Sequence, residues 1–175
     1  MIVKRVLVLV LAMFAFVSAD FTERLPLPAA AADSIPWFAA RDGNGKPFTK
    51  NNLLKIAEGY DRVALVYFAT WCTPCREGLK AIKDNGPYLE EKKVKVVLVN
   101  VGEKESEVVT AFVKKLGLQD FTLIRDNYKR LSEGFGFVKE GEDMALPRTL
   151  VLDGNLKPLM FLGKEGQNFI QVLGE

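Results

Sequence analysis

The sequence predicts an α/β domain with a central mixed sheet flanked by helices and an added N-terminal β-hairpin. Three observations carry this prediction. Val63–Phe68 and Val94–Val101 are continuous apolar runs, as expected of strands buried on both faces. Stretches with helical periodicity separate and follow them, which argues for right-handed crossovers between parallel strands. The chain then closes on two apolar segments joined by Asp153-Gly154-Asn155, an antiparallel hairpin that gives the sheet its mixed character.

Residues 1–19 read as an export signal. Lys4 and Arg5 precede the apolar run Val6–Val17, and Val17-Ser18-Ala19 supplies small residues for cleavage before Asp20. Retention as a membrane anchor is the alternative, but the run is about twelve residues against the roughly 20 needed to span a bilayer. Residues 20–34 hold Pro26, Pro28 and Ala29–Ala32 and read as a flexible leader. The domain is assigned to residues 35–175.

Trp37-Phe38-Ala39 and Lys46-Pro47-Phe48 form the N-terminal hairpin across the turn Asp42-Gly43-Asn44-Gly45. Asn51–Glu58 is a short helix closed by Gly59. After the strand at 63–68, Thr73–Lys92 is helical with a break at Asn85-Gly86-Pro87. Ser106–Leu116 places Val108, Val109, Phe112, Val113 and Leu116 on one face and ends at Gly117. Phe121–Ile124 is a third strand, Tyr128–Gly134 a short helix and Gly136–Ala145 a loop. Arg148–Leu152 and Leu156–Leu162 are the hairpin strands, and Glu165–Leu173 is the last helix.

Loss of residues 1–19 leaves 156 residues, enough for one domain with a sizeable core. Lys4 and Arg5 leave with the signal, so the remaining charge is near zero. Lys92, Lys93 and Lys95 are a short cluster of the kind found at solvated helix ends. No basic patch of the sort nucleic acid requires is present, and a monomer is expected. Two cysteines and no histidine give zinc too few of its favoured ligands. Haem attachment needs a histidine after the second cysteine, where Arg76 stands. No metal or cofactor is therefore expected.

Cys72 and Cys75 are the only pair available for a disulfide, and a bridge across so short a loop constrains the unfolded chain little. Redox chemistry explains the pair better than stapling. The motif follows a buried strand and opens a helix, where unpaired amides and the positive end of the helix dipole stabilise a thiolate. Thiols in such places titrate at about 3.5–7.5 against ~8.5 for a free thiol. Cys72 is thus the nucleophile, and Cys75, one turn inward, resolves the mixed disulfide. Pro74 suits the first turn because its missing donor would be unpaired there. Further along, Leu146-Pro147 leads into a hairpin strand. A cis bond at Pro147 would leave the Leu146 backbone free to pair with a peptide beside Cys72.

Ala69-Thr70-Trp71-Cys72-Thr73-Pro74-Cys75-Arg76-Glu77 resembles the active-site segment of TlpA/ResA-like periplasmic thioredoxins, in the alkyl hydroperoxide reductase/redoxin-like branch of the thioredoxin superfamily. Val97–Glu103 resembles their next strand and its exit, and Pro147–Asn155 their cis-proline strand and turn. The resemblance spans roughly residues 35–172. It implies a thioredoxin fold with an added N-terminal hairpin, and a periplasmic dithiol that reduces protein disulfides, often in cytochrome c maturation. It also implies that Trp71 covers the disulfide and meets the partner, and that Thr73 between the cysteines tunes the potential. A membrane-bound donor would keep the thiols reduced in an oxidising compartment.

Four departures stand out. Family members often carry a carboxylate three residues after the second cysteine, where this chain has Gly78. Glu77, one position earlier, is turned by about 100° on a helix and is at most an accessory group. The usual proline two positions after that carboxylate is Lys80. Thioredoxin itself has a buried Asp six residues before its first cysteine, where Val66 stands, so Cys75 has no obvious base. The loop Gly136–Ala145, with Lys139, Glu140, Glu142 and Asp143, is longer than usual. Three readings follow: a reductant of exported proteins, an oxidase or isomerase using the same residues, and a non-catalytic binding module on a thioredoxin scaffold.

Overall fold

The computed structural model describes residues 21–28, 37–138 and 142–175. The expected signal at 1–19, the start of the domain at 35, and Lys139 and Glu140 lie outside the described residues. Eight strands form one sheet: β1 (Arg24–Leu25), β2 (Ala39–Asp42), β3 (Pro47–Thr49), β4 (Arg62–Phe68), β5 (Val94–Val101), β6 (Thr122–Asp126), β7 (Arg148–Asp153) and β8 (Pro158–Leu162). Their order across the sheet is β1-β8-β7-β4-β5-β6-β2-β3. β4, β5 and β6 run parallel, and every other pairing is antiparallel. The mixed sheet and the N-terminal hairpin (β2–β3) are as the sequence predicts.

Among the described residues six helices accompany the strands: α1 (Lys50–Ala57), α2 (Thr73–Asp84), α3 (Gly86–Glu91), α4 (Ser106–Lys115), α5 (Arg130–Gly134) and α6 (Phe169–Gly174). They cover both faces. Alternation along β4 sends Val63, Leu65 and Tyr67 into one core with α1 and α5, and Ala64, Val66 and Phe68 into another with α2, α3, α4 and α6. A strand buried twice needs apolar residues at every position, which is why β4 and β5 lack the polar alternation of a half-exposed strand. Among the described residues no helix is long and apolar enough to cross a membrane.

The structure departs from the sequence reading at three places. Residues 20–34 are not all leader: Arg24–Leu25 pairs with Phe161–Leu162 at the sheet edge, and Arg24 pairs with Glu175. The last helix begins at Phe169 rather than Glu165, because the preceding backbone is engaged by the β1 segment. Glu23 N–H donates to Lys164 O at 3.0 Å, Gly163 N–H to Glu23 O at 2.9 Å, and Gly166 N–H to Thr22 Oγ1 at 3.0 Å. The short helix expected from Tyr128 starts at Arg130, since Lys129 takes a left-handed φ of 56°. The Asp126 carboxylate then accepts from Leu131 N–H at 3.1 Å and Ser132 N–H at 3.0 Å. At the closing turn, a β-carbon on Gly154 would stand 2.8 Å from Tyr60 O, so only glycine fits.

Leu65 sits at the centre of the sheet, opposite Val97 on one side and Leu150 on the other, with no exposed surface. Leu65→Ala is expected to cost about 2–5 kcal/mol, read as a lower urea midpoint with an unchanged slope.

Candidate active site

The site lies where β4 hands over to α2. Phe68 ends the strand, and Cys72 N–H donates back to Ala69 O at 3.1 Å, closing a turn. Cys72 is the N-cap of α2, with extended backbone (φ −77°, ψ 103°), and its Sγ accepts from Cys75 N–H at 3.3 Å. Sulfur thus takes the place usually held by a Ser or Asp oxygen, satisfying one of the orphan amides of the first turn. Thr73 and Pro74 fill the first two helical positions, where proline forfeits no helix bond. Cys72 and Cys75 are joined as a disulfide with Cα atoms 5.4 Å apart. Both residues are nearly buried, Cys72 at 4% exposure and Cys75 at 1%.

The turn before the motif is held from two sides. Glu103, just beyond β5, accepts from Thr70 N–H at 2.5 Å and from the Asn100 amide at 2.7 Å. Arg76 donates to Thr70 O at 2.8 Å and lies over the Phe112 ring. The loop that aims Cys72 is therefore fixed to β5 and to its own helix, which is the kind of support a precise site requires.

Across the sheet, Arg148 of β7 pairs with Tyr67. Continued by one residue, that register sets Pro147 opposite Phe68 and next to the Cys72 turn. The Leu146–Pro147 bond is cis. Leu146, Trp71, Met144, Val101, Gly102, Lys129 and Asp143 line a shallow hollow of about 250 Å³. Trp71 is 68% exposed at its rim rather than packed in the core. The structure thus brings Trp71, Cys72, Thr73, Pro74, Cys75, Leu146 and Pro147 together. It does not bring Glu77, which is exposed while Cys75, Gly78, Leu79 and Ile82 form the buried face of α2. Lys80 is exposed as well.

One group at this site has no local sequence signal. Glu165, in the loop after β8, is half-buried as a residue, and its carboxyl end reaches under α2. A β-carbon at Gly78 would stand 2.7 Å from Glu165 Cδ and closer still to Oε2. Oε1 accepts from Thr149 Oγ1 at 3.1 Å, and Oε2 is buried without a hydrogen-bond partner. Burial pushes the carboxyl up from 4.5 to about 8, with the Thr149 bond opposing part of the rise. Thr149 pairs with Val66 across the sheet. Both positions where the sequence lacked a carboxylate, Val66 and Gly78, therefore border Glu165 or its hydrogen-bond partner.

The family model for AhpC/TSA proteins matches residues 31–157. The chain belongs to the AhpC/TSA family. It is 27% identical over 137 residues to the thiol-disulfide oxidoreductase ResA of Geobacillus thermodenitrificans, covering 78% of this chain and 70% of ResA. Its fold matches the thioredoxin domain of a thiol-disulfide oxidoreductase from Bacteroides vulgatus (TM-score 0.64, 14% identity, 85% of this chain and 96% of that one). It also matches StoA from Bacillus subtilis (TM-score 0.59, 18% identity, 82% and 99%). The thioredoxin fold and the ResA-like resemblance read from the motifs are borne out. With its Cys72–Cys75 pair, this member of the family is a thiol–disulfide oxidoreductase.

Glu165 makes the stability of the oxidised protein depend on pH. Its folded-state pKa lies above the unfolded one, so its contribution is full below about pH 4.5 and is lost as pH rises through about 8. Relative to Glu165→Gln, the wild type is expected to lose on the order of 3–5 kcal/mol between pH 5 and pH 9, measured by urea unfolding of both proteins at each pH.

Proposed function

We propose that this chain reduces disulfides in exported proteins. The carrying observation is the Cys72 sulfur at the amino end of α2, receiving the Cys75 amide beside the hollow of Trp71 and Leu146. In the dithiol, the Cys72 thiolate attacks a partner disulfide and expels one partner sulfur as a thiolate. Cys75, as a thiolate, then attacks Cys72 Sγ. The mixed bond breaks, the second partner sulfur leaves with the electron pair, and the Cys72–Cys75 disulfide re-forms. The partner gains two electrons and the cysteine pair loses them.

Leu146 packs against the cluster that holds the two cysteines, and the cis bond to Pro147 turns the chain there before β7, leaving the Leu146 backbone outside the sheet ladder for an incoming peptide. Trp71 supplies an exposed aromatic contact at the rim, and Thr73 and Pro74 set the first turn from which the sulfur is presented. The signal-like residues 1–19 support an extracytoplasmic, periplasm-like location, where a membrane-bound donor would return the disulfide to the dithiol. Apocytochrome c is the substrate class that fits the ResA-like resemblance, and the chain acts as a monomer in this reading.

The pre-reduced protein is expected to reduce insulin. Cys72→Ser is expected to lower that rate by at least about 100-fold, since the one remaining thiol, Cys75, is buried at 1% exposure and out of a protein partner's reach. Cys75→Ala should accumulate mixed disulfides on Cys72 in extracts of its own cells, with apocytochromes among the trapped partners. A wild-type rate no higher than that of Cys72→Ser would overturn the reading. A reduction potential near the −120 mV of DsbA would assign the same residues to oxidation instead.

A further inference from the structure

We propose that Glu165 accepts the Cys75 proton when Cys75 resolves the mixed disulfide on Cys72. The inference rests on the redox reading of the two cysteines and adds a group from a different part of the chain.

Cys75 and Gly78 are three residues apart on the buried face of α2. Side chains so spaced have β-carbons about 5–6 Å apart. Glu165 fills the space that a Gly78 side chain would occupy, so its carboxyl packs against the face of α2 that carries Cys75, one turn further along the helix. One oxygen is committed to Thr149, while Oε2 is buried with nothing bonded to it. An unpartnered buried carboxylate oxygen costs stability unless it serves another purpose. Gly78 is the residue that admits it.

The surroundings leave few other proton partners. From α2 the titratable group nearest this face is Cys75. β7 presents no titratable group there, only the Thr149 hydroxyl as a hydrogen-bond donor. The β1 segment brings the Thr22 hydroxyl, bonded to Gly166 N–H, and the Glu23 carboxylate, which packs over Gly163. Lys164, adjacent in the chain, is exposed. Burial raises the carboxyl to about 8, so as a carboxylate it is a far stronger base than an ordinary glutamate at ~4.3.

The step balances as follows. The Cys75 thiol gives its proton to the Glu165 carboxylate. The Cys75 thiolate attacks Cys72 Sγ, the bond from Cys72 to the partner sulfur breaks, and that sulfur leaves with the electron pair. The Glu165 proton then passes to solvent or to the departing thiolate.

A small disulfide separates this test from that of protein-disulfide reduction. One equivalent of dithiobis(nitrobenzoate) added to the pre-reduced protein releases one nitrobenzenethiolate on attack by Cys72 and a second on resolution by Cys75. In stopped flow, Glu165→Gln is expected to slow the second release by about 100-fold near pH 8, with the loss falling on resolution rather than on attack. The wild-type second phase should rise with a midpoint near 8, a midpoint the Gln variant should lack. Thr149→Val removes the bond that lowers the Glu165 pKa, so it should move that midpoint to higher pH. A second phase in Glu165→Gln with wild-type rate and pH profile would overturn the proposal, as would an unmoved midpoint in Thr149→Val.

Discussion

The chemistry of this protein depends on a helix that begins on a sulfur. Cys72 stands outside the first turn of α2 and accepts the Cys75 amide, so any negative charge on that sulfur meets a hydrogen-bond donor and the positive end of a twelve-residue helix. The rest of the fold serves that placement. β4 delivers the chain to the helix start. β5 and β7 fix β4 from both sides, and Glu103 and Arg76 pin the turn between strand and helix.

A second constraint runs through the interior beneath the helix. Protein cores admit carboxylates rarely, and then with partners. Here one half of the carboxylate is bonded and the other half is not, beside the inner cysteine of a redox pair. Closure of the disulfide removes both thiols from titration, so in the oxidised state the buried proton chemistry of the site resides in Glu165. Reduction frees the Cys75 thiol on the same buried face of α2 that Gly78 opens to Glu165.

Much of this was legible in the sequence. The apolar runs of β4 and β5 gave their burial on both faces, because only residues hidden twice lack polar alternation. Asp153-Gly154-Asn155 gave the hairpin, and the spacing of Cys72 and Cys75 after a strand gave the disulfide pair at the helix start. Local signals failed where tertiary contacts decide. Nothing in Arg24-Leu25 marks it as a strand until β8 offers it an edge. Nothing in Lys164-Glu165-Gly166 separates a buried acid from a solvated loop, since its neighbours Gly78 and Thr149 lie far away in the chain. Asn100 was the readable exception: a polar residue inside an apolar strand, 0% exposed, whose amide reaches Glu103. Glu77 lies in water, in keeping with its one-step offset of about 100° along the helix from Gly78.

The strap formed by residues 22–25 has a consequence for how the molecule can be divided. Thr22 and Glu23 bond to the backbone at 163, 164 and 166, and Thr22 N–H also donates to the Asn168 side chain at 2.7 Å. These bonds bracket Glu165 on both sides. A fragment trimmed to begin at the β2–β3 hairpin would keep both cysteines, the helix and the proline strand. It would lose the frame that keeps the acid folded inward, leaving an outwardly intact redox motif uncoupled from its proton store.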